Sequence, residues 1–227
     1  MNKKYPAAAC LLIVIIFFSC VTKNPPNYFP VPDSGINPNE NPVIIEIGNI
    51  IETKDGQLSQ MPVWLRSFLG SGINAVEKLE AYNNEYVFIV SNEGDNIAAL
   101  TKWVEHYTVA HDFPMLVADR IEKRMYLTAS LYPDDEYGAF YETMMHNAYK
   151  AEYNEALKED YYWIKTKSGN EEEPSENYIF YLLITIEKSL MQSIIRNMIV
   201  KTSEVVILTK SQNNSVNKLR NTFFEGF

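Results

Sequence analysis

Seven of the eleven prolines in this 227-residue chain fall within residues 21–62, at positions 25, 26, 30, 32, 38, 42 and 62. Proline has no backbone N–H and keeps its predecessor out of the helical region, so a stretch this rich in it cannot hold a helix or a central strand. Asparagines at 24, 27, 37, 39 and 41 reinforce the irregular character. The stretch predicts an extended tether in which only residues 43–47 are strand-like. Residues 20–41, extended at ~3.1 Å per residue, would reach several tens of Å. The folded domain is therefore expected to open near Pro62. From there on the chain is long enough to bury a sizeable core, and with 46% hydrophobic and 22% charged residues overall it is not disordered as a whole.

Ahead of the tether lie a basic stub with Lys3 and Lys4, an apolar run over residues 7–18, and Ser19-Cys20. The run is about 12 residues, short of the ~20 needed to cross a bilayer, so the segment reads as an export signal rather than a permanent span. A small residue directly before a cysteine that closes the run, in Phe17-Phe18-Ser19-Cys20, resembles the lipobox of bacterial lipoproteins. Phe17 and Phe18 depart from the Leu and small residue more usual there. The resemblance implies cleavage before Cys20 and attachment of lipid, palmitate included, to Cys20. Residues 1–19 would then be the signal, 20–61 the lipidated tether, 62–203 the domain and 204–227 a C-terminal extension. The expected address is the bacterial cell envelope, with anchoring in the outer membrane favoured over the inner.

Charge and cysteine content narrow the function. The net charge is −9, and loss of Lys3 and Lys4 with the signal leaves 18 basic against 29 acidic residues, or −11. Nucleic-acid binding needs clustered Lys and Arg against phosphate, and no run here supplies them. The two cysteines, Cys10 and Cys20, both precede the domain, which leaves it without a thiol for a disulfide, a redox couple or a cysteine zinc site.

Within the domain, residues 62–69 form a short apolar segment followed by Gly70-Ser71-Gly72. Over residues 86–92, Tyr86, Phe88 and Val90 alternate with Val87 and Ile89, which predicts a strand covered on both faces, either central or backed by helices. Ile97, Leu100, Val104 and Tyr107 recur at helical spacing after an Asp95 or Asn96 cap. A second helix is expected to be capped by Asp112, with Pro114 in its first turn and a stripe of Val117, Ala118, Ile121 and Met125. A third is expected from Asp134 or Asp135 to near Asp160, carrying Phe140, Tyr141, Met144, Ala148 and Ala151. Residues 161–167 and 178–187 predict an antiparallel hairpin across a polar turn with Gly169 and Pro174. Ser189 is expected to cap a helix with the stripe Met191, Ile194, Ile195, Met198 and Ile199. Residues 204–208 fit helix or strand, and 215–224 a short last helix. The fold class expected is α+β, a small antiparallel sheet of about three strands packed against several helices, with a helical C-terminal extension.

A lipobox, Pro62 and Trp64 ahead of the domain, a strand closing on Gly94, a helix with Ala98, Ala99 and Ala110, Asp160-Tyr161-Tyr162-Trp163, a turn at Gly169, and Tyr178-Ile179-Phe180-Tyr181 together resemble the LPP20 family of bacterial lipoproteins. The resemblance covers roughly residues 62–199. It implies an α+β domain held at the envelope, with some members assisting flagellar or motility structures and others known mainly as surface antigens. It brings no catalytic residue and does not reach the region after Val200.

No Gly-rich phosphate loop, His-Glu-x-x-His pattern or nucleophile elbow occurs in the sequence. His106 and His111 are five apart and off one helical face, and His146 belongs to another helix, so solvated histidines are expected rather than a metal site. Asp134, Asp135 and Glu136 read as helix-start charges, and Glu171, Glu172 and Glu173 as a solvated run. No cofactor is expected. The 15 tyrosines, among them Tyr126, Tyr132, Tyr137, Tyr141, Tyr149, Tyr153, Tyr161 and Tyr162, fit either a core lining or an interface.

Ile194 and Ile195 are expected in the domain's own core. The segment from Val205 onward, with Val205, Val206, Leu208, Leu219 and Phe223, is the candidate association surface. The expected function is a lipid-anchored envelope protein without catalytic activity, held to the membrane by its N-terminal lipid and binding itself or a larger envelope or motility assembly. The other reading is a periplasmic small-ligand-binding or hydrolytic lipoprotein, which would show a large pocket or convergent polar groups with perturbed ionisation.

Overall fold

In β4 (Ser175–Glu187) every residue from Ile179 to Ile186 is buried, so the strand must be covered on both faces and flanked on both sides. A computed structural model, which describes residues 49–168 and 175–227, shows how. The strands β1 (Ile50–Thr53), β2 (Glu85–Gly94), β3 (Leu157–Ser168) and β4 form one antiparallel sheet in the order β1-β3-β4-β2. Among the described residues, eight α-helices pack around it: α1 (Val63–Ser71), α2 (Ile73–Val76), α3 (Ile97–His106), α4 (Val109–Thr128), α5 (Pro133–Tyr137), α6 (Ala139–Lys150), α7 (Lys188–Val205) and α8 (Lys210–Thr222). The α+β class is as the sequence predicts.

Period-two alternation splits the sheet's side chains between two cores. Val87, Ile89, Tyr162, Ile164, Ile179, Tyr181 and Leu183 face α1 and α2 and pack with Met61, Trp64, Leu65, Phe68 and Val76. Tyr86, Phe88, Phe180, Leu182, Ile184 and Ile186 face the larger core built by α3, α4, α6, α7 and α8. The sheet is thus the middle of three layers.

The sheet has a fourth strand where the sequence reading has tether. Residues 50–53 lie inside the expected 20–61 segment, yet Ile50 and Thr53 are buried and β1 pairs with β3. At four residues, β1 is too short to show an alternation of its own. The strand-like residues 43–47 lie outside the described residues.

The covering of β2 on both faces is as expected, but its place is an edge. Here α2 and α4 guard it: the Val87 N–H donates to Glu77 Oε1 at 3.0 Å, the Val87 carbonyl accepts from Arg120 Nη1 at 3.2 Å, and the two side chains pair at 3.0 Å. An ion pair occupies the position a neighbouring strand would take at Val87, which blunts the edge.

Several boundaries move for local reasons. The Asn96 side chain caps α3 by accepting from the N–H groups of Ala98 and Ala99. α4 starts before Asp112, at Val109; the Asp112 carboxylate lies inside the first turns and reaches back to the Thr108 N–H at 2.9 Å. The single helix expected from Asp134 to Asp160 is two helices and part of a strand. Gly138, at φ 57, separates α5 from α6, and that backbone conformation favours glycine; a Cβ there would meet the tip of the Gln212 side chain of α8 at 2.4 Å, which would have to turn aside. α6 stops at Lys150, and Leu157 already pairs with Thr185, with a register shift between Lys158 and Asp160. Ser189 does not cap α7, whose N-cap is Glu187 without a side-chain cap bond. α8 starts five residues earlier than expected, on a Thr209–Gln212 capping box.

Candidate association surface

The expected association residues divide between core and surface. Leu219 is 1% exposed and Phe223 fully buried, so these two do not belong to a surface. They sit with Val216 in the larger core, and the Phe223, Phe224 and Phe227 rings pack on one another with centroids 5.2 to 5.9 Å apart. Arg124 on α4 fastens this end of the chain, donating from Nε to the Phe223 carbonyl at 2.7 Å and from Nη2 to the Thr222 carbonyl at 2.5 Å. The apolar face that sequence alone assigns to a partner is covered by the protein itself.

The link between α7 and α8 behaves differently. Val206 and Leu208 are half-buried against the larger core, whereas Val205 is 71% and Ile207 98% exposed. Val206 is extended, and alternate residues of an extended segment point to opposite sides. Once 206 and 208 turn inward, 207 must turn out, and it follows Val205, exposed at the last position of α7. The sequence reading does not single out Ile207, because Val205-Val206-Ile207-Leu208 is apolar throughout and shows no alternation of its own.

Beside this ridge α6 and α7 enclose a groove of about 510 Å³. Thr143, Asn147 and Lys150, at i, i+4 and i+7, form one wall, and Ile194, Met198, Lys201 and Val205, at i, i+4, i+7 and i+11, the other. Asn147 Nδ2 donates to Thr202 Oγ1 at 3.0 Å and ties the helices together. Met198 is buried at the floor and Ile194 half-buried, while Ile195 is fully buried behind them, as expected of the core stripe. Among the described residues neither Lys150 nor Lys201 has an ion-pair or hydrogen-bond partner. Glu152, also on the groove, accepts from Asn154 Nδ2 at 3.3 Å.

A second, smaller cleft of about 290 Å³ lies between α2 and α4 and gathers Arg120, Lys123 and Arg124. Arg120 is held by Glu77 and the Val87 carbonyl, with its guanidinium 4.9 to 5.1 Å from the Tyr86, Phe88 and Phe227 rings, and Arg124 holds the end of α8. Their hydrogen bonds go to the fold.

The remaining chemistry-bearing side chains are dispersed. His106, His111 and His146 are exposed, with His111 Nδ1 3.0 Å from Asp112 Oδ1, and no group of three His, Cys, Asp or Glu side chains among the described residues is placed to hold a metal ion. Asp134 and Asp135 are exposed in the first turn of α5, and Glu136 accepts from the N–H groups of Ser130 and Leu131. The tyrosines divide between core and surface: Tyr137, Tyr153 and Tyr162 are buried, Tyr141 and Tyr161 half-buried, and Tyr126, Tyr132 and Tyr149 exposed. Burial pushes the Tyr153 and Tyr181 hydroxyls well above their ordinary range, and burial together with a short hydrogen bond to Glu122 does the same for Tyr141. Cys20 lies outside the described residues. No helix among the described residues is long and apolar enough to cross a membrane. No protein-family model, curated protein or solved structure matches the chain.

Proposed function

We propose that this is a lipid-tethered protein of the bacterial cell envelope, LPP20-like in its ordering of parts, that acts by binding another envelope component rather than by catalysis. The address rests on Cys20, which closes the apolar run at the one position where lipidation requires a cysteine. The prolines that follow would hold the domain clear of the head groups. The binding role rests on one observation, the exposure of Val205 and Ile207 beside the α6–α7 groove. Scattered exposed apolar residues are ordinary, but here Val205 lines the groove at the end of α7 and Ile207, two residues on, is almost fully exposed, which supports a contact site at this end of the groove.

Cys20→Ser tests the address. One acyl chain binds a bilayer only marginally, whereas several, at ~0.8 kcal/mol per buried CH₂, anchor firmly. The variant is expected to lose palmitate labelling and move from the membrane to the soluble fraction with its thermal unfolding unchanged. Retention in the membrane fraction through a salt wash would overturn the anchor.

A further inference from the structure

Resting on the binding role just proposed, we infer that the α6–α7 groove and its Val205–Ile207 ridge dock an acidic segment with one apolar face, carried by a different protein. The walls specify both halves of that ligand. Along α7 the order is apolar, apolar, cationic, apolar, in Ile194, Met198, Lys201 and Val205. Across the groove α6 contributes Lys150 beside the uncharged Thr143 and Asn147, and the residues after it bring Glu152, so the lysines outnumber the carboxylates two to one. A segment lying along the groove would place apolar side chains over Ile194, Met198 and Val205 and carboxylates at Lys150 and Lys201. Both ammonium groups are without a partner among the described residues, in a chain whose net charge is −9. The flexible thioether of Met198 suits a surface that adapts to what it binds.

A second copy of the chain is the poorer occupant. A two-fold pairing brings the same patch to itself, so the two unpaired lysines of one copy would have to share the single Glu152 of the other. A partner presenting several carboxylates satisfies both lysines.

The test places a photo-crosslinking amino acid at Ile207 of the full chain in native cells, with Leu58, exposed in the turn before α1, as the control position. The expected result is an adduct at Ile207 but not at Leu58, with a different protein, through a peptide carrying Asp or Glu among apolar residues. Lys150→Glu combined with Lys201→Glu should lower its yield several-fold, and Lys201→Arg should preserve it. Any one of four results overturns the inference: an adduct of twice the chain's mass, a basic crosslinked peptide, a yield indifferent to charge reversal, or no adduct above the control. Palmitate labelling of the same cells keeps the two proposals apart. Adduct without label removes the anchor alone, and label without adduct removes the groove alone.

Discussion

The α7–α8 link and α8 with its following residues are neighbours in sequence and opposites in structure. Both carry branched or aromatic side chains at regular spacing, and both invite the same reading as surfaces awaiting a partner. In α8 the stripe of Val216, Leu219 and Phe223 closes the larger core, with Arg124 clamping the last carbonyls. In the link, Ile207 reaches water because Val206 and Leu208 take the inward positions, and Val205 is exposed just before it at the end of α7. Periodicity reveals that an apolar face exists. What covers the face depends on where the chain goes next, and that is a property of the whole fold.

The sharpest way to break the comparison is to truncate a side chain on the buried side. Phe223→Ala and Ile195→Ala each empty a fully buried site, and ~3 to 5 and ~2 to 5 kcal/mol of stability, respectively, are expected to be lost in urea denaturation. Should Phe223→Ala leave the midpoint unmoved, α8 would not be an integral part of the core.

Arg124→Ala comes next. It removes charged hydrogen bonds to two carbonyls that close α8 and should cost ~1.5 to 3 kcal/mol, with Arg124→Lys recovering only part, because an ammonium lacks the planar fork. Full recovery by lysine in the same denaturation assay would show that only the charge matters.

Glu136 supplies a pH-dependent probe of the same seat. Burial alone would push its carboxyl up, but the Leu131 and Ser130 N–H groups, the Ser215 hydroxyl and the Lys218 ammonium outweigh burial and hold it below the usual carboxylate range. Ser215 and Lys218 belong to α8, so the carboxylate links the α5 region to that helix. With the folded value below the unfolded one, its contribution is present above the ordinary carboxylate range and lost as pH falls through the folded value. Thermal unfolding of Glu136→Gln should therefore differ from the parent at neutral pH and converge with it in acid. A constant difference across the range would remove the titration from the account.

These contrasts show what the sequence made legible. The α+β class, the two-sided burial of β2, the hairpin of β3 and β4 and the core stripe of α7 all follow from local alternation or helical spacing that tertiary packing reinforces. β1 was hidden because four residues carry too little pattern. The start of β3 was hidden because Leu157, Lys158 and Asp160 pair as a strand only through the length of β4. The edge position of β2 answers to pairing that no single segment records. The capping box at Thr209–Gln212 was the exception: it is local, and it marks where α8 begins. For the site, Val205 was legible as apolar, but Ile207 required knowing that the link is extended.

The smallest expected effect on stability is the most telling for function. Val205→Ser and Ile207→Ser remove apolar surface that water already reaches, so the double variant should keep its denaturation midpoint to within ~0.5 kcal/mol. Neither side chain fills space whose loss would leave a cavity, which is why the cost seen for Phe223 does not recur here. If the ridge makes contact in the envelope, the same variant should lose co-purification with its partner after chemical crosslinking in cells, because each branched side chain gains ~1.5 to 3 kcal/mol when a partner takes it out of water. Intact stability with lost association places the ridge in function. A destabilised double variant would mean that the exposed positions of the link support the fold after all, and the distinction between it and α8 would collapse.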